Sequence, residues 1–487
     1  MREGIDVVLA SNRAPMSFVQ KDDGFDIKRG AGGLAGALDP VARRLGEHAR
    51  WIATATSEVD RAAVEAGALA SLHEQLGYEV HLLEIDPDTY ADYYDNVSNR
   101  MLWFSNHCLF DELGIPPFGD EVLASWRDSY EVVNRRFAEA AERAAEADTL
   151  VLYQDYHLTT APAMLREKRP RQPILHFTHS SFCGPRGLSH LPDEVHEETI
   201  AGLLGADLIG FHVHQWVDGF LSACERLGYA VDRDRAAVEV EGGRLAWARA
   251  YPITVAVGEL RKRATRKKVQ RWAERFRSVT DGVLLVRADR AEPSKNIVRG
   301  FEAFEALLDR REDLRGRVHF VACLYPSREN MPEYQDYSSR IERAVANINA
   351  KYPDHVAMFM QDDFERTLGA LLVYDVLVVN PLMDGMNLVA KEGPAINQAG
   401  GALVLSSRAG AYEDLGSIAC SIEDPYDVEQ TARVMERAID MDATQRAAQG
   451  DALRLVVEAR KPEDWIESQI GDLLLIKEGK EPATPPW

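Results

Sequence analysis

Short aliphatic runs alternate along this chain with longer segments of helical spacing. DVVLASN (6–12), RWIATAT (50–56), VHLLEID (80–86), TLVLYQD (149–155), ILHFTH (174–179) and LIGFHV (208–213) are rich in β-branched and aliphatic residues, which predicts strands. Between them, AEAAERAAEA and ETIAGLLGA carry helical spacing. Strand–helix alternation of this kind predicts a mostly parallel sheet covered on both faces. The pattern restarts after YPITVAVGEL (251–260) and a basic helical stretch, RKRATRKKVQRWAERF. GVLLVRAD (282–289), VHFVACLY (318–325), HVAMFMQ (355–361), DVLVVNP (375–381) and ALVLSS (402–407) form a second set of strands. The expected organisation is α/β: a doubly wound domain over 1–255, a second over 256–460, and a closing segment over 461–487. In that segment PEDWIESQIGDLLLI reads as a helix able to pack back on the first domain, and EGKEPATPPW as a frayed tail. Two doubly wound domains predict a deep cleft at the carboxyl ends of their strands.

Length and charge narrow the classes. A chain of 487 residues is too long for one core. The net charge of −22 disfavours a sequence-independent nucleic-acid binder or a polybasic membrane anchor. Anionic substrates then require a local cluster of cations. Five scattered cysteines without a C-x-x-C pair argue against a disulfide framework or zinc site and for a reducing cytoplasm. No secretory signal is visible in MREGIDVVLASNR, and no apolar run approaches a membrane span.

Each candidate site falls just after a predicted strand. In PLMDGMNLVAKEGPAINQAGG (381–401) an aliphatic strand meets Asp384-Gly385 and starts a helix around Met386 or Asn387, with Lys391 and Glu392 farther in. The first N–H groups of a helix lack internal partners and lie at the positive end of its dipole, so this mouth suits a diphosphate. Glu392 is placed to accept from ribose hydroxyls. The same spacing also suits a capped turn with a solvated glutamate. In RADRAEPSKN (287–296), Arg290 and Lys295 flank a proline-containing loop; together they suit a diphosphate leaving group, singly they read as surface cations. SNR (11–13) and the glycine-rich KRGAGGLAGAL (28–38) follow the first strand, and the glycines do not match the dinucleotide pattern G-x-G-x-x-G. QDYHL (154–158) and HFTHSS (176–181) place Asp155 and His179 at strand ends, suited to hydroxyls and a proton, while His176 reads as a core residue. Tyr94 and Trp103 in YYDNVSNRMLW (93–103) suit a sugar ring or a plain core contact.

Taken in order, SNR, the GGL of the glycine turn, YYDNVSNRMLW, QDYHL, the His179 strand end, RADRAEPSKN, YPSR (325–328) and DGMNLVAKE resemble the trehalose-6-phosphate synthase family of retaining glycosyltransferases, from about residue 5 to residue 475. The resemblance implies the GT-B fold, two Rossmann-like domains facing a deep cleft, with the acceptor on the first and the nucleotide sugar on the second. It implies that Glu392 holds the ribose, and that Arg290, Lys295 and the backbone of Met386, Asn387, Leu388 and Val389 hold the diphosphate. Asp384, beside Gly385, and His179 would bind the transferred glucose, with Gly33 close to the donor. Asp155, Tyr94 and Trp103 would line the acceptor sugar, and Arg13 and Arg328 would clamp its phosphate. Asp155, His179, Arg290, Lys295 and Asp384 would carry the chemistry, without a protein nucleophile, metal or cofactor. The implied partners are small molecules, a nucleoside diphosphate glucose and glucose 6-phosphate; a homo-oligomer is compatible with the sequence.

Three positions depart from the family pattern: SSFCGP (180–185) replaces a segment resembling I-P-F-P, Thr54 stands where a tryptophan is common, and Gln154 where a histidine is common. These departures keep three other readings open: a pseudo-glycosyltransferase coupling cyclitols, a GT-B sugar-nucleotide epimerase, and a catalytically silent sugar-phosphate-binding regulator. The intact DGMNLVAKE favours an ordinary glucose donor.

Overall fold

A computed structural model of the chain describes residues 4–21, 24–29 and 33–487. The chain divides into two compact units, Met1–Pro252 with Glu463–Trp487, and Ile253–Pro462. No described helix is long and apolar enough to cross a membrane.

The first unit is built on strands β1 (Val7–Arg13), β2 (Met16–Lys21), β3 (Gly24–Arg29), β4 (Ala49–Thr54), β5 (Glu79–Leu83), β6 (Leu150–Gln154), β7 (Ile174–Phe177), β8 (Leu208–Phe211), β9 (Ala230–Asp232), β10 (Ala237–Val240) and β11 (Arg244–Ala250). Nine of them form one sheet in the order β5-β4-β1-β6-β7-β8-β11-β10-β9. It is parallel from β5 to β11 and antiparallel beyond. The central strands are aliphatic because helices cover both faces; Val7, Val8, Leu150, Val151 and Leu152 are fully buried. β2 and β3 pair separately as a hairpin.

The second unit holds β12 (Val283–Arg290), β13 (Val318–Tyr325), β14 (Val356–Met360), β15 (Val376–Val379), β16 (Ala402–Ser406) and β17 (Cys420–Ile422). Their order is β14-β13-β12-β15-β16-β17, and every pair is parallel. Phe301, Phe304, Leu307 and Leu308 of the helix Ile297–Arg310 bury against this sheet.

In both sheets the chain winds outward first to one side and then to the other. The strand order reverses at β1/β6 in the first unit and at β12/β15 in the second. Loops leaving the carboxyl ends of two such strands diverge, which opens a crevice that ligands of this architecture use.

The closing segment is not frayed. The helix Pro462–Lys477 buries Trp465, Ile466, Ile470 and Leu473. Beyond it, Arg249 Nε donates to the Thr484 carbonyl (2.8 Å), and Trp487 Nε1 donates to that of Arg233 (3.0 Å).

Candidate active site

The first unit gathers its polar residues at the β1/β6 switch. Ser11 pairs with Gln154, so Arg13, which ends β1, and Asp155, which follows β6, lie at the same carboxyl end of the sheet. Arg13 is exposed; its Nη2 donates to Tyr94 Oη (2.8 Å) and its guanidinium lies over the same ring. Tyr94 stacks on His157 (5.8 Å) and on Tyr90 (5.7 Å), which fixes the ring. Asp155 has φ +72°, a backbone conformation that non-glycine residues enter only under constraint. The constraints are visible: its carbonyl accepts from His176 Nε2 (3.1 Å), and its Oδ1 accepts the His179 N–H (3.1 Å). His176 is therefore a buried strut beneath Asp155, as read from sequence, and burial holds its pKa down to about 3.

His179 is half-buried, with Nε2 3.0 Å from Gln154 Oε1 and its ring near Trp465 and His212. Burial, then His212 and His176, push its pKa well below the usual value, so it is a neutral hydrogen-bonding group. Trp103 is buried, 3.8 Å from His107 and 5.7 Å from Tyr156 between ring centroids. The serines of SSFCGP are tied to Asn106: Ser181 Oγ donates to its carbonyl (2.8 Å), and its Nδ2 donates to Ser180 Oγ (3.0 Å). Thr54 is buried and pairs with Arg13 across β1 and β4. Gly33 opens the helix Gly33–Leu45; the glycine turn before it, 30–32, lies outside the described residues.

The second unit does the same at β12/β15. Arg290 ends β12 with its side chain 51% exposed, and Lys295 follows in a short turn. Lys295 Nζ is ion-paired to Asp384 Oδ2, which also accepts from Asn387 Nδ2 (3.0 Å). The loop of Lys295 thereby meets the DGMN turn, and the Leu382 N–H donates to the Ser294 carbonyl (2.8 Å) to lock them together. Arg328, with φ +45°, bonds Tyr334 Oη.

The helix expected at Met386 or Asn387 starts later. Asn387 has φ +66°, which breaks helical geometry, and the helix runs Val389–Ile396 behind Leu388. Met386 and Asn387 belong to the turn, while Leu388 and Val389 head the helix and bring its first N–H groups there. Glu392 lies in the first turn of that helix, half-buried; desolvation pushes its pKa up to about 7. Lys391 is structural: buried at 2% exposure, it donates from Nζ to the Ile253 carbonyl (2.9 Å) and to Asp414 Oδ2 (2.7 Å).

Sequence reading missed the charges beneath this site. Arg287 is fully buried and pairs with Asp289 Oδ2 (2.8 Å), while its other N–H groups hold the carbonyls of Lys295 (3.1 Å) and Ile297 (3.3 Å). Glu292, also fully buried, bonds Arg290 and Ser327. The only available signal was charge density, three cations and two acids in the strand end and loop between Arg287 and Lys295, which says nothing of burial.

Two doubly wound units, each with polar groups at its switch point, are the units of a GT-B fold. The chain belongs to glycosyltransferase family 20, whose model matches residues 6–474. It is 33% identical over 496 residues to the trehalose-6-phosphate synthase of Mycobacterium sp. (strain KMS), covering 98% of this chain and 97% of that one. Among solved structures it is similar to an α,α-trehalose-phosphate synthase (UDP-forming) from Burkholderia vietnamiensis, with TM-score 0.81, 25% identity and 98% of each chain covered. An α,α-trehalose 6-phosphate synthase from Burkholderia multivorans matches with TM-score 0.82 and 25% identity, over 98% of this chain and 97% of that one.

Proposed function

We infer that the protein transfers glucose from a nucleoside diphosphate glucose to glucose 6-phosphate, with retention of configuration, to give α,α-trehalose 6-phosphate. The observation that carries this is the pairing of Lys295 with Asp384 at the β12/β15 switch, beside Arg290 and the DGMN turn. That arrangement puts cations and helix N–H groups where a diphosphate would lie and a carboxylate where sugar hydroxyls would lie. The C1–O bond to the diphosphate breaks, a bond from C1 to the anomeric hydroxyl oxygen of glucose 6-phosphate forms on the same face, and that hydroxyl's proton passes to the departing diphosphate. Arg290 and Lys295 stabilise the charge that grows on the leaving group, an effect larger in the transition state than in the ground state. Glu392 takes the ribose hydroxyls. Neutral His179 and Asp384 hold the glucose, and Gly33 lies beside it. Tyr94, Trp103 and Asp155 line the acceptor sugar, and Arg13 and Arg328 grip its phosphate as planar, multiply donating cations. No residue serves as nucleophile and no metal or cofactor enters. None of the five cysteines is in a disulfide, which suits a reducing cytoplasm.

The test is nucleotide release from UDP-, GDP- and ADP-glucose, each with and without glucose 6-phosphate. Release stimulated by glucose 6-phosphate, with trehalose 6-phosphate as product, is expected. The absence of stimulation with every donor would overturn the reading.

A further inference from the structure

Glu292 lies two residues beyond β12, and its side chain is wholly buried. A buried carboxylate persists only where cations and donors replace its hydration. Oε1 takes both Arg290 Nη1 (3.1 Å) and the Ser327 hydroxyl (2.8 Å). Ser327 immediately precedes Arg328, whose left-handed backbone and bond to Tyr334 aim it from the same loop. The main chain closes the cluster: the Glu292 N–H donates to the Arg290 carbonyl (2.8 Å), and the Glu292 carbonyl accepts from the Lys295 N–H (3.0 Å). Burial would raise its pKa, but Arg290, Arg328 and Lys295, with Ser327, outweigh burial and hold it at about 2. Oε2 is buried and accepts no hydrogen bond from a protein group.

We propose that Glu292 is a positioning residue for the transfer, the shared counter-ion that holds Arg290 toward the donor diphosphate and, through Ser327, Arg328 toward the acceptor phosphate. It rests on the assignment of those phosphates made above, and Glu292 itself touches no substrate. Three cations converging on two anionic ligands repel one another when the ligands are absent; one fixed anion beneath them keeps them together. A guanidinium has five N–H donors, so binding Glu292 does not by itself use up those that would grip a phosphate.

Glu292→Gln keeps the shape and removes the charge. The expected result is a rise of about tenfold in both the Kd for UDP, by calorimetry, and the KM for glucose 6-phosphate, the scale of one charge-assisted contact at each phosphate. Arg290→Ala should raise the first constant alone and Arg328→Ala the second alone. Glu292→Asp, which restores the charge, should recover most of the UDP affinity. Both constants at wild-type values, or a fall in Tm alone, would make Glu292 a folding group and overturn the proposal. A rise in only one constant would overturn the shared role. Should the glutamine variant fail to fold, Ser327→Ala cuts only the link to Arg328: a raised KM for glucose 6-phosphate with unchanged UDP affinity supports the proposal, and no change in either overturns it. UDP binding needs no turnover, so a wild type that makes no trehalose 6-phosphate would sink the functional reading while the calorimetry still judged Glu292.

Discussion

Burial governs the charge of Glu392. Its pKa, pushed up to about 7 from 4.5, makes it a mixture of acid and carboxylate near neutrality. For stability the sign is unfavourable to alkali: between those values the folded chain keeps a proton that the unfolded chain has lost. The contribution of Glu392 is therefore lost as pH rises from 4.5 through 7. Binding reverses the pull, because ribose hydroxyls donate to the ionised form and lower its pKa. UDP binding at pH 6.5 should thus release a fraction of a proton from Glu392, read by calorimetry in buffers of different ionisation enthalpy. Glu392→Gln should remove that fraction and weaken UDP about tenfold, since a charged acceptor becomes a neutral one. Equal proton release by wild type and variant would take Glu392 out of the nucleotide site.

At the scale of elements, the proposed donor site is two loops braced from below. The turn 384–387 is carried by the segment after β16: the Gly410 N–H donates to the Asp384 carbonyl (3.1 Å) and the Ala411 N–H to that of Met386 (2.7 Å). A Cβ on Gly410 would stand 2.0 Å from the Gly385 carbonyl oxygen, backbone against backbone. Gly410→Ala should therefore displace the turn, weakening UDP at least about tenfold and lowering stability by about 1–3 kcal/mol; wild-type affinity in a folded variant would remove the brace from the account. The other loop hangs on Arg287, for which Gly300 leaves room, a Cβ there lying 2.4 Å from Nη1. Arg287→Met leaves Asp289 buried without its cation and should cost about 3–5 kcal/mol in denaturant unfolding. A loss within about 0.5 kcal/mol would show Asp289 to be neutral in the fold. These braces explain what could be read in advance. The doubly wound sheets were legible because strands buried on both faces must be aliphatic. The hairpin β2–β3, the edge strand β9 and its neighbour β10 were not, since their exposed faces mix polar residues into the run. Arg290, Lys295 and Asp384 were legible from their places at strand ends. Arg287, Asp289 and Glu292 were not, because charges in a loop look solvated until the fold closes over them.

Across the whole molecule the chain passes between its units twice, at Pro252–Ile253 and Pro462–Glu463. The groups assigned to the nucleotide belong to the second unit, apart from His179 and Gly33, and those assigned to the acceptor sugar belong to the first. Arg328 alone among the residues assigned to the acceptor lies in the second unit. This division makes a prediction that activity measurements cannot reproduce. In hydrogen exchange, UDP alone should slow exchange around Arg290–Asn296 and Asp384–Glu392, and glucose 6-phosphate alone around Tyr94, Asp155 and Arg328, because bound phosphate and sugar suppress the local opening on which amide exchange depends. Arg13→Ala should abolish the second pattern and leave the first untouched, with the KM for glucose 6-phosphate raised about tenfold or more. Protection of the β12/β15 loops by glucose 6-phosphate with UDP absent, or loss of UDP protection in Arg13→Ala, would show that the assignment of ligands to units is wrong even if the enzyme makes the expected product.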